Sequence, residues 1–218
     1  MSCENKKTLD VYERCADVYL NNAIKHDNLD MIKAKKKKEK LEKFIKDGFS
    51  SLPIGSKILE IGSADGVNAL YIKNLGYDVT ASDVSNIFLE KIKDQGLRTI
   101  KFDCLAYKFK EKYNGIFCWR VFVHFTYDDV MKLLERVYEN LNDNGIFIFN
   151  AINRETRDVD CEWVDFEGEY HMGEKRFYNY FRKEKLDDLI SKTNFKIDKF
   201  FYEGGSSNNK WLVYVLKK

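Results

Sequence analysis

Residues 57–66 read Lys57-Ile58-Leu59-Glu60-Ile61-Gly62-Ser63-Ala64-Asp65-Gly66, and this stretch decides the fold. Its first five residues predict a buried strand, and a helix is expected over residues 67–75, after the second glycine. Glycine permits a positive φ angle and lets the backbone pass close to a ligand. A strand that ends in a glycine-rich turn and opens a helix is typical of nucleotide-binding α/β folds, in which ligands bind at the carboxyl end of the strand, here at Glu60.

An acidic residue follows the glycines at the distance that such folds use. Residues 77–82 predict a second strand, and Asp83 closes it. An acid about 20 residues after the glycines, at the end of the second strand, is placed to accept hydrogen bonds from ribose hydroxyls. The glycines alone are a weak signal, but together with Asp83 they indicate a site for a molecule that contains a ribose.

Two common nucleotide-binding patterns do not match. In the dinucleotide pattern G-x-G-x-x-G, counted from Gly62, the second glycine would be Ala64 and the third Val67. A phosphate-binding loop needs Gly-Lys-Ser/Thr at the start of the helix, where this chain has Gly66-Val67-Asn68. The spacing therefore disfavours a nicotinamide cofactor and does not fit a nucleoside triphosphate.

The pattern Glu-x-Gly-x-Ala-x-Gly over residues 60–66 resembles motif I of the class I S-adenosylmethionine (SAM)-dependent methyltransferases, usually E/D-x-G-x-G-x-G. Ala64 replaces the middle glycine and puts a methyl group where the backbone passes the cofactor. Phe102-Asp103 resembles the acidic position that contacts the adenine amino group, and residues 113–125 resemble the fourth strand and its continuation. The resemblance runs from Lys57 to the C-terminus, and within the family it is to the small-molecule methyltransferases.

The order of the predicted strands and helices also indicates an α/β fold. Strands are expected over residues 57–61, 77–82, 97–102, 112–119 and 146–151, with helices between them, which predicts right-handed βαβ units and a parallel sheet. Strands over residues 195–203 and 210–216 predict an antiparallel hairpin, which resembles the antiparallel seventh strand of the family. The predicted fold is α/β, a Rossmann-like, doubly wound, seven-stranded and mostly parallel sheet with an antiparallel C-terminal hairpin.

Two segments are predicted to lie over this sheet. Residues 1–50 predict a helical N-terminal cap, and residues 51–218 form the SAM-binding domain. An insertion over about residues 153–180 is predicted to be a lid, because residues 153–174 follow the fifth strand and show neither helical nor strand period. We expect this insertion and the first 25 residues to be mobile without ligand and ordered with it.

The resemblance implies a set of cofactor contacts. The backbone around Gly62 would pass the methionine part of SAM, Asp83 would bind the ribose, and Asp103 would bind the adenine N6. Aromatic faces attract a sulfonium through cation–π interaction, which makes Tyr12, Tyr19 and Trp119 candidates, with core packing as the alternative for Tyr19 and Trp119. The full predicted set is Glu60, Gly62, Ser63, Ala64, Gly66, Asp83, Val84, Asp103, Cys104 and Trp119.

Candidates for the acceptor side come from the cap, the fourth strand and the lid. His124 lies just beyond the fourth strand and His171 lies in the lid, and either is a candidate general base. A structural histidine that bonds to a backbone carbonyl is the alternative for His124. Core packing is the alternative for Tyr19, and a surface role is the alternative for Arg120. The predicted acceptor-binding residues are Tyr12, Tyr19, Arg120, Trp163 and Tyr170.

Composition sets further bounds. The chain has 218 residues, enough for one domain with a core, and its 37 basic and 35 acidic residues give no sign of a nucleic-acid or membrane surface. Its five cysteines show no C-x-x-C pair or zinc-ligand spacing, so no metal is expected, and their scatter fits the cytosol. No apolar run approaches about 18 residues, so no transmembrane helix is expected. We expect a cytoplasmic monomer or homodimer.

The leading hypothesis is a SAM-dependent methyltransferase that acts on oxygen or nitrogen of a small-molecule acceptor. The lysine-rich run over residues 33–40 leaves open a tRNA or rRNA methyltransferase, although such a run is also typical of the solvated face of an amphipathic helix. A SAM- or nucleotide-binding sensor without turnover is a third hypothesis. The sequence does not identify the acceptor, because fold does not fix function.

Overall fold

The first two thirds of the chain form two long helices and then alternate strand and helix. The structure is a computed structural model that describes residues 2–29, 31–165, 174–203 and 211–218. Helix α1 spans Cys3–Leu29 and helix α2 spans Met31–Phe49, both within the segment predicted to be a helical cap. The elements that follow are β1 (Lys57–Ile61), α3 (Val67–Asn74), β2 (Asp78–Asp83), α4 (Asn86–Lys93), β3 (Arg98–Lys101), β4 (Tyr113–Cys118), α5 (Tyr127–Asn140) and β5 (Leu141–Ile152).

The last third of the chain adds a hairpin, a helix and two more strands. Two short 3₁₀ helices are not numbered with the other helices. One spans Phe122–His124 after β4, and the other spans Arg154–Thr156 after β5. The remaining elements are β6 (Cys161–Asp165), β7 (Lys175–Asn179), α6 (Lys183–Ser191), β8 (Lys196–Tyr202) and β9 (Trp211–Lys217).

The expectation that residues 153–174 lack strand structure is wrong. Strand β6 lies inside this segment and pairs antiparallel with β7, from Cys161 opposite Asn179 to Asp165 opposite Lys175. Most of β6 is exposed, so it lacks the alternation of apolar and polar residues that a half-buried strand shows. Its backbone hydrogen bonds to β7, and not burial of one face, hold it in place.

The central sheet confirms the predicted fold class. Its strand order is β3-β2-β1-β4-β5-β9-β8, with β1 to β5 parallel and β9 antiparallel to both of its neighbours. The chain runs outward from β1 through β2 to β3, and then returns to the other side of β1 with β4 and β5. Ligands of open α/β sheets bind outside the carboxyl ends of the strands at such a reversal. The topology therefore predicts a site between the loops that follow β1 and β4.

The sheet is buried on both faces. Along β5, Phe147 and Phe149 belong to one apolar cluster with α5 and α6, whereas Ile146 and Ile148 belong to a second cluster on the opposite face. The last two turns of α2 complete this second layer through fully buried side chains such as Phe49. Parallel strands covered on both faces form nearly continuous apolar runs, as β1, β4 and β5 do.

Local signals in the sequence set the ends of the helices beside the site. Thr126 and Asp129 form a capping box at the start of α5, with each side chain bonded to the backbone N–H of the other residue. Ser85 caps α4 by accepting a hydrogen bond from the N–H of Phe88. The N-termini of both helices are thereby fixed next to loops that lead into the predicted crevice.

Some expectations concern residues that the structure does not describe. Phe166, Tyr170 and His171 of the predicted lid lie outside the described residues, as does the turn predicted over residues 204–209. Within the part of the chain that the structure does describe, no helix is long and apolar enough to cross a membrane.

Candidate cofactor and acceptor site

A cavity of about 670 Å³ opens at the carboxyl ends of β1, β2 and β4. Its floor is formed by the loops after these strands, and α1 and α2 close it from above. Cavities of roughly 300–1,000 Å³ hold small organic ligands. The residues that line it are Asn5, Leu9, Tyr12, Tyr19, Lys38, Leu41, Ile61, Gly62, Ser63, Ala64, Asp65, Val67, Asn68, Asp83, Val84, Phe88, Phe102, Asp103, Cys104, Trp119, Arg120, Val121, His124 and Phe125.

The loop after β1 has the unusual backbone that its glycines predict. Gly62 has a φ of 72°, and a Cβ atom placed on it would lie 2.5 Å from Cγ2 of Val121 in the cavity wall. Glycine is therefore required at position 62 both for its backbone angle and for the space. Ala64, at the position where motif I usually has glycine, also adopts a left-handed conformation with a φ of 45°. The departure from the motif thus leaves the loop conformation in place, with strain at Ala64.

Asp83 ties this loop to the end of β2. One carboxylate oxygen accepts a hydrogen bond from the N–H of Ala64 at 3.0 Å, and the other accepts one from the N–H of Ser85 at 3.1 Å. Burial raises the pKa of Asp83, and these backbone donors oppose the rise. A carboxylate oxygen can accept two hydrogen bonds, so Asp83 can also accept hydrogen bonds from ribose hydroxyls on the cavity side.

Glu60 lies beneath the loop and does not line the cavity. Its side chain is 1% exposed, and burial raises the pKa of its carboxyl to about 8, against the opposing effect of hydrogen bonds from Ser63 and Asn68. Oxygen Oε2 of Glu60 has no hydrogen-bond partner among the described residues. Ser63 and Asn68 do line the cavity, so the hydrogen bonds of Glu60 position two side chains of the cavity wall. Gly66, the other predicted contact absent from the lining, begins α3 behind the loop.

Two other predicted cofactor residues flank the loops after β1 and β2, with Asp103 on the β3 side and Trp119 on the β4 side. Asp103 lines the cavity after β3, and its Oδ1 accepts hydrogen bonds from the N–H groups of Leu105 and Ala106, which fixes the carboxylate in place. Cys104 is buried beside it, and burial raises the pKa of its thiol, so it is an unreactive wall residue. Trp119 lies parallel to the ring of Phe117 at 5.5 Å and faces the cavity at the end of β4.

The acceptor-side residues Tyr12 and His124 lie in contact. The hydroxyl of Tyr12 on α1 lies 3.0 Å from Nε2 of His124, and Nδ1 of His124 lies 2.8 Å from the carbonyl oxygen of Phe177 on β7. Arg176 donates a hydrogen bond from Nη1 to the Tyr12 hydroxyl at 2.9 Å. His124 therefore has the backbone-carbonyl bond expected of a structural histidine and also lines the cavity.

Two polar residues of α1 that the sequence reasoning missed hold this arrangement together. Asn5 donates to the carbonyl of His124 at 3.4 Å, and Thr8 accepts from the N–H of Phe177 at 3.0 Å. Asn5 and Thr8 are both buried. Asn5, Thr8 and Tyr12 follow one another at intervals of three and four residues, which places them on one face of α1, and this polar stripe is the signal that the sequence offers.

Of the other acceptor candidates on described residues, Tyr19 and Arg120 line the cavity and Trp163 does not. Tyr19 lines the cavity and packs edge-on against Tyr12, with ring centroids 6.1 Å apart. Arg120 also lines the cavity. Its backbone has an unusual φ of 62°, which is supported by a hydrogen bond from its N–H to the side chain of Asn150. Trp163 does not line this cavity. It is 38% exposed on β6, with its ring near Lys7, so the structure does not bring it to the acceptor site. Tyr170 and His171 lie outside the described residues.

The charges in the cavity fit a cationic, ribose-containing cofactor. The carboxylates of Asp65, Asp83 and Asp103 line the side formed by β1, β2 and β3, and the cations Lys38 and Arg120 line the other side. SAM carries a sulfonium, an ammonium, a ribose and an adenine, which match this acidic half. Among the described residues, no group of three or more His, Cys, Asp or Glu side chains is arranged to hold a metal ion.

Comparison with known proteins defines the class. A family described as "Methyltransferase domain" matches residues 31–199, and the chain belongs to this family, within the class I SAM-dependent methyltransferase superfamily. The probable SAM-dependent methyltransferase TehB of Haemophilus influenzae is 31% identical over 111 residues, which is 48% of this chain and 38% of the relative. The aligned stretch thus spans less than half of that relative.

Solved structures share the fold at low sequence identity. A SAM-dependent methyltransferase from Clostridium acetobutylicum has a TM-score of 0.73 at 17% identity, covering 92% of this chain and 98% of that one. The glycopeptide N-methyltransferase MtfA, solved with SAM, has a TM-score of 0.60 at 12% identity and covers 77% of this chain and 83% of its own. The fold of this chain is therefore that of enzymes that bind SAM.

Proposed function

We propose that the protein transfers the methyl group of SAM to an oxygen or nitrogen atom of a small-molecule acceptor. The observation that carries the proposal is the closure of α1 over the carboxyl edge of the sheet, which leaves a cavity of about 670 Å³ for both molecules. A small cavity suits a compact acceptor. A nucleic acid would instead need an open basic groove with many phosphate contacts.

The cofactor half of the cavity is assigned by its polar groups. Asp83 accepts hydrogen bonds from the ribose, Asp103 accepts one from the adenine amino group, and the backbone from Gly62 to Ala64 passes the methionine part. The aromatic faces of Tyr19 and Trp119 suit a sulfonium. Bound SAM supplies an already activated methyl group, so the chain mainly has to hold the acceptor atom in line at about 3 Å.

The acceptor half lies between α1 and the loop after β4. It contains Tyr12, His124 and Arg120, of which Tyr12 and Arg120 offer hydrogen bonds to a polar acceptor, because both ring nitrogens of His124 are bonded to Tyr12 and Phe177. These residues come from two segments of the chain, α1 and the loop after β4, and the hydrogen bonds from α1 to His124 and Phe177 fix their mutual positions. Such fixed polar groups favour an oxygen or nitrogen nucleophile over an unfunctionalised carbon.

Isotope transfer from SAM identifies the acceptor class. A cell extract is incubated with the protein and SAM labelled in the methyl group, and the small-molecule, RNA and protein fractions are analysed by mass spectrometry. We expect label in one or a few small molecules, and no label in reactions with heat-denatured protein or with excess S-adenosylhomocysteine (SAH). Label confined to RNA or protein would contradict the proposal, and SAH binding without labelling of any fraction would indicate a sensor.

A further inference from the structure

The contacts among the described residues around His124 assign the hydrogen atoms of this network. The carbonyl of Phe177 can only accept, so Nδ1 of His124 carries a proton and donates it across 2.8 Å. Burial and the charge on Arg176 lower the pKa of His124 to about 4, so the ring is neutral near pH 7 and Nε2 has a lone pair. The Tyr12 hydroxyl must therefore donate to Nε2 across 3.0 Å. Arg176 then donates to the Tyr12 oxygen across 2.9 Å.

This arrangement limits what Tyr12 offers to the cavity. Its only hydroxyl hydrogen points to His124, so toward a bound acceptor it presents a hydrogen-bond acceptor and not a donor. A phenol oxygen gains proton affinity as its hydrogen moves to a basic partner, and the guanidinium of Arg176 stabilises the negative charge that develops on the oxygen. Both Tyr12 and His124 line the cavity, on its acceptor side.

We propose that Tyr12 is a catalytic residue that takes the proton of the acceptor's O–H or N–H group and passes its own hydroxyl proton to Nε2 of His124. Arg176 is then a positioning residue, which orients the Tyr12 oxygen. The inference rests on the proposed function, because it assumes methyl transfer to a nucleophile that carries a hydrogen.

The step balances in atoms and charge. The acceptor heteroatom forms its bond to the methyl carbon as the carbon–sulfur bond breaks, and the electron pair of that bond stays on sulfur. The acceptor proton moves to Tyr12, and the Tyr12 proton moves to His124. One positive charge is lost at sulfur and one appears on the imidazole, so the net charge of the site is constant.

The groups that face His124 explain why the proton moves only during transfer. Among the described residues they are Tyr12 from α1 and Arg176, Phe177 and Tyr178 from β7, and Arg176 carries the full charge in this set. A sulfonium in the cavity adds a second positive charge and keeps the imidazole neutral before the reaction. Loss of that charge on methyl transfer makes the imidazolium less unfavourable.

The test compares three variants with the wild-type protein. Tyr12→Phe removes the relaying oxygen. His124→Gln keeps an acceptor for the Tyr12 hydroxyl but cannot take a proton. Tyr77→Phe is the matched control, because it deletes a buried tyrosine hydroxyl that bonds to the carbonyl of Phe49, away from the cavity. The probes are methyl-labelled SAM with the ultrafiltrate of a cell extract for transfer, SAH for calorimetry, and nitrogen-15 NMR of His124 for its tautomer.

We expect Tyr12→Phe and His124→Gln to lose roughly 10²–10⁴-fold in transfer rate, as for loss of a general base. Their SAH affinity should stay within about twofold of wild type, and Tyr77→Phe should match wild type in both. The NMR spectrum should show Nδ1 protonated and Nε2 unprotonated, with the Nε2 signal shifted in Tyr12→Phe.

Three outcomes would overturn the inference. A wild-type transfer rate in Tyr12→Phe would show that its hydroxyl is not used. An active His124→Gln would reduce His124 to a structural role, because glutamine preserves the hydrogen bond and not the base. If the wild-type protein labels no small molecule, the proposed function is wrong, and the inference that rests on it is wrong as well.

Discussion

The carboxylate of Asp83 and the backbone N–H of Ala64 are joined by a hydrogen bond of 3.0 Å, although 19 residues separate them. The bond links the loop after β1 to the end of β2, the two segments on which SAM would lie. It gives Asp83 a second role, because the residue expected to bind the ribose also holds the loop that passes the methionine part. Substitution at Asp83 therefore tests the loop and the ribose contact together.

Asp83→Asn should weaken SAH binding by roughly 1.5–3 kcal/mol, the range for a hydrogen bond to a charged group. An asparagine keeps one acceptor oxygen but turns an amide donor toward either Ala64 or Ser85, both of which donate N–H groups. Calorimetry with SAH measures the loss. Asp78→Asn, at the exposed start of β2, is the control and should bind like wild type. Equal affinity of a folded Asp83→Asn protein would remove Asp83 from the site.

Ala64→Gly should not destabilise the protein and should raise its free energy of unfolding by up to about 1.5 kcal/mol. The left-handed conformation of Ala64 costs about 1–2 kcal/mol, and the greater freedom of glycine in the unfolded chain offsets about 0.4–1 kcal/mol of that relief. Urea unfolding measures the change. Ala69→Gly, in the buried part of α3, is the matched control and should lose about 1 kcal/mol or more. An equal loss in both variants would show that Ala64 is unstrained.

His124 should make the protein less stable in acid. Its pKa is lowered from 6.5 to about 4 in the folded state, so the unfolded chain binds the proton more tightly. The neutral imidazole contributes fully to the free energy of unfolding above pH 6.5, and this contribution declines as the pH falls toward 4. The whole contribution is about 3 kcal/mol. Urea unfolding of wild type and His124→Gln at pH 7 and pH 4.5 measures it, since their difference cancels the other titrating groups. A difference that does not change with pH would mean that His124 titrates normally.

The cap and the β6–β7 hairpin should become protected together when ligand binds. Helix α1 contacts β7 through Thr8 and Phe177 and contacts the 3₁₀ helix after β4 through Tyr12 and His124. A ligand bound in the cavity stabilises the state in which these contacts are made.

Hydrogen exchange with and without SAH measures this coupling. Amides of residues 5–15 and 175–179 should slow together on addition of SAH, while those of α6, away from the cavity, should not change. Strong protection of both segments in the free protein, unchanged by SAH, would show that they form a fixed wall and not a lid.

The elements around the cofactor loop could be predicted because their signals are local. The run from Lys57 to Ile61, the glycine at position 62 and the acid at position 83 each report on a few neighbouring residues, and the order of strands and helices then fixes the parallel sheet. The start of β5 was predicted at Ile146 but lies at Leu141. The irregular register after Tyr113, with the positive φ of Asn144, makes this part of the strand look like a turn.

The acceptor side was harder to predict because its contacts are distant in sequence. Tyr12 and His124 are separated by 112 residues, and Tyr12 and Arg176 by 164. No local pattern shows that α1 lies against β7. Trp163 was assigned to the acceptor because an aromatic ring in an irregular loop suits a pocket, but pairing with β7 places it on β6, near Lys7 and away from the cavity.

Whether SAM binds in this cavity can be measured by titrating SAH into the wild-type protein and two glycine variants. Gly62→Ala puts a Cβ 2.5 Å from Val121 at a φ of 72°, whereas Gly55→Ala has a similar φ of 82° but meets no atom within 4 Å. Both variants carry backbone strain, and only Gly62→Ala changes the cavity. Placement of SAM in this cavity predicts saturable SAH binding to wild type and Gly55→Ala with equal affinity, and at least tenfold weaker binding to Gly62→Ala. Absence of SAH binding to the wild-type protein, or equal affinity in all three proteins, would contradict it.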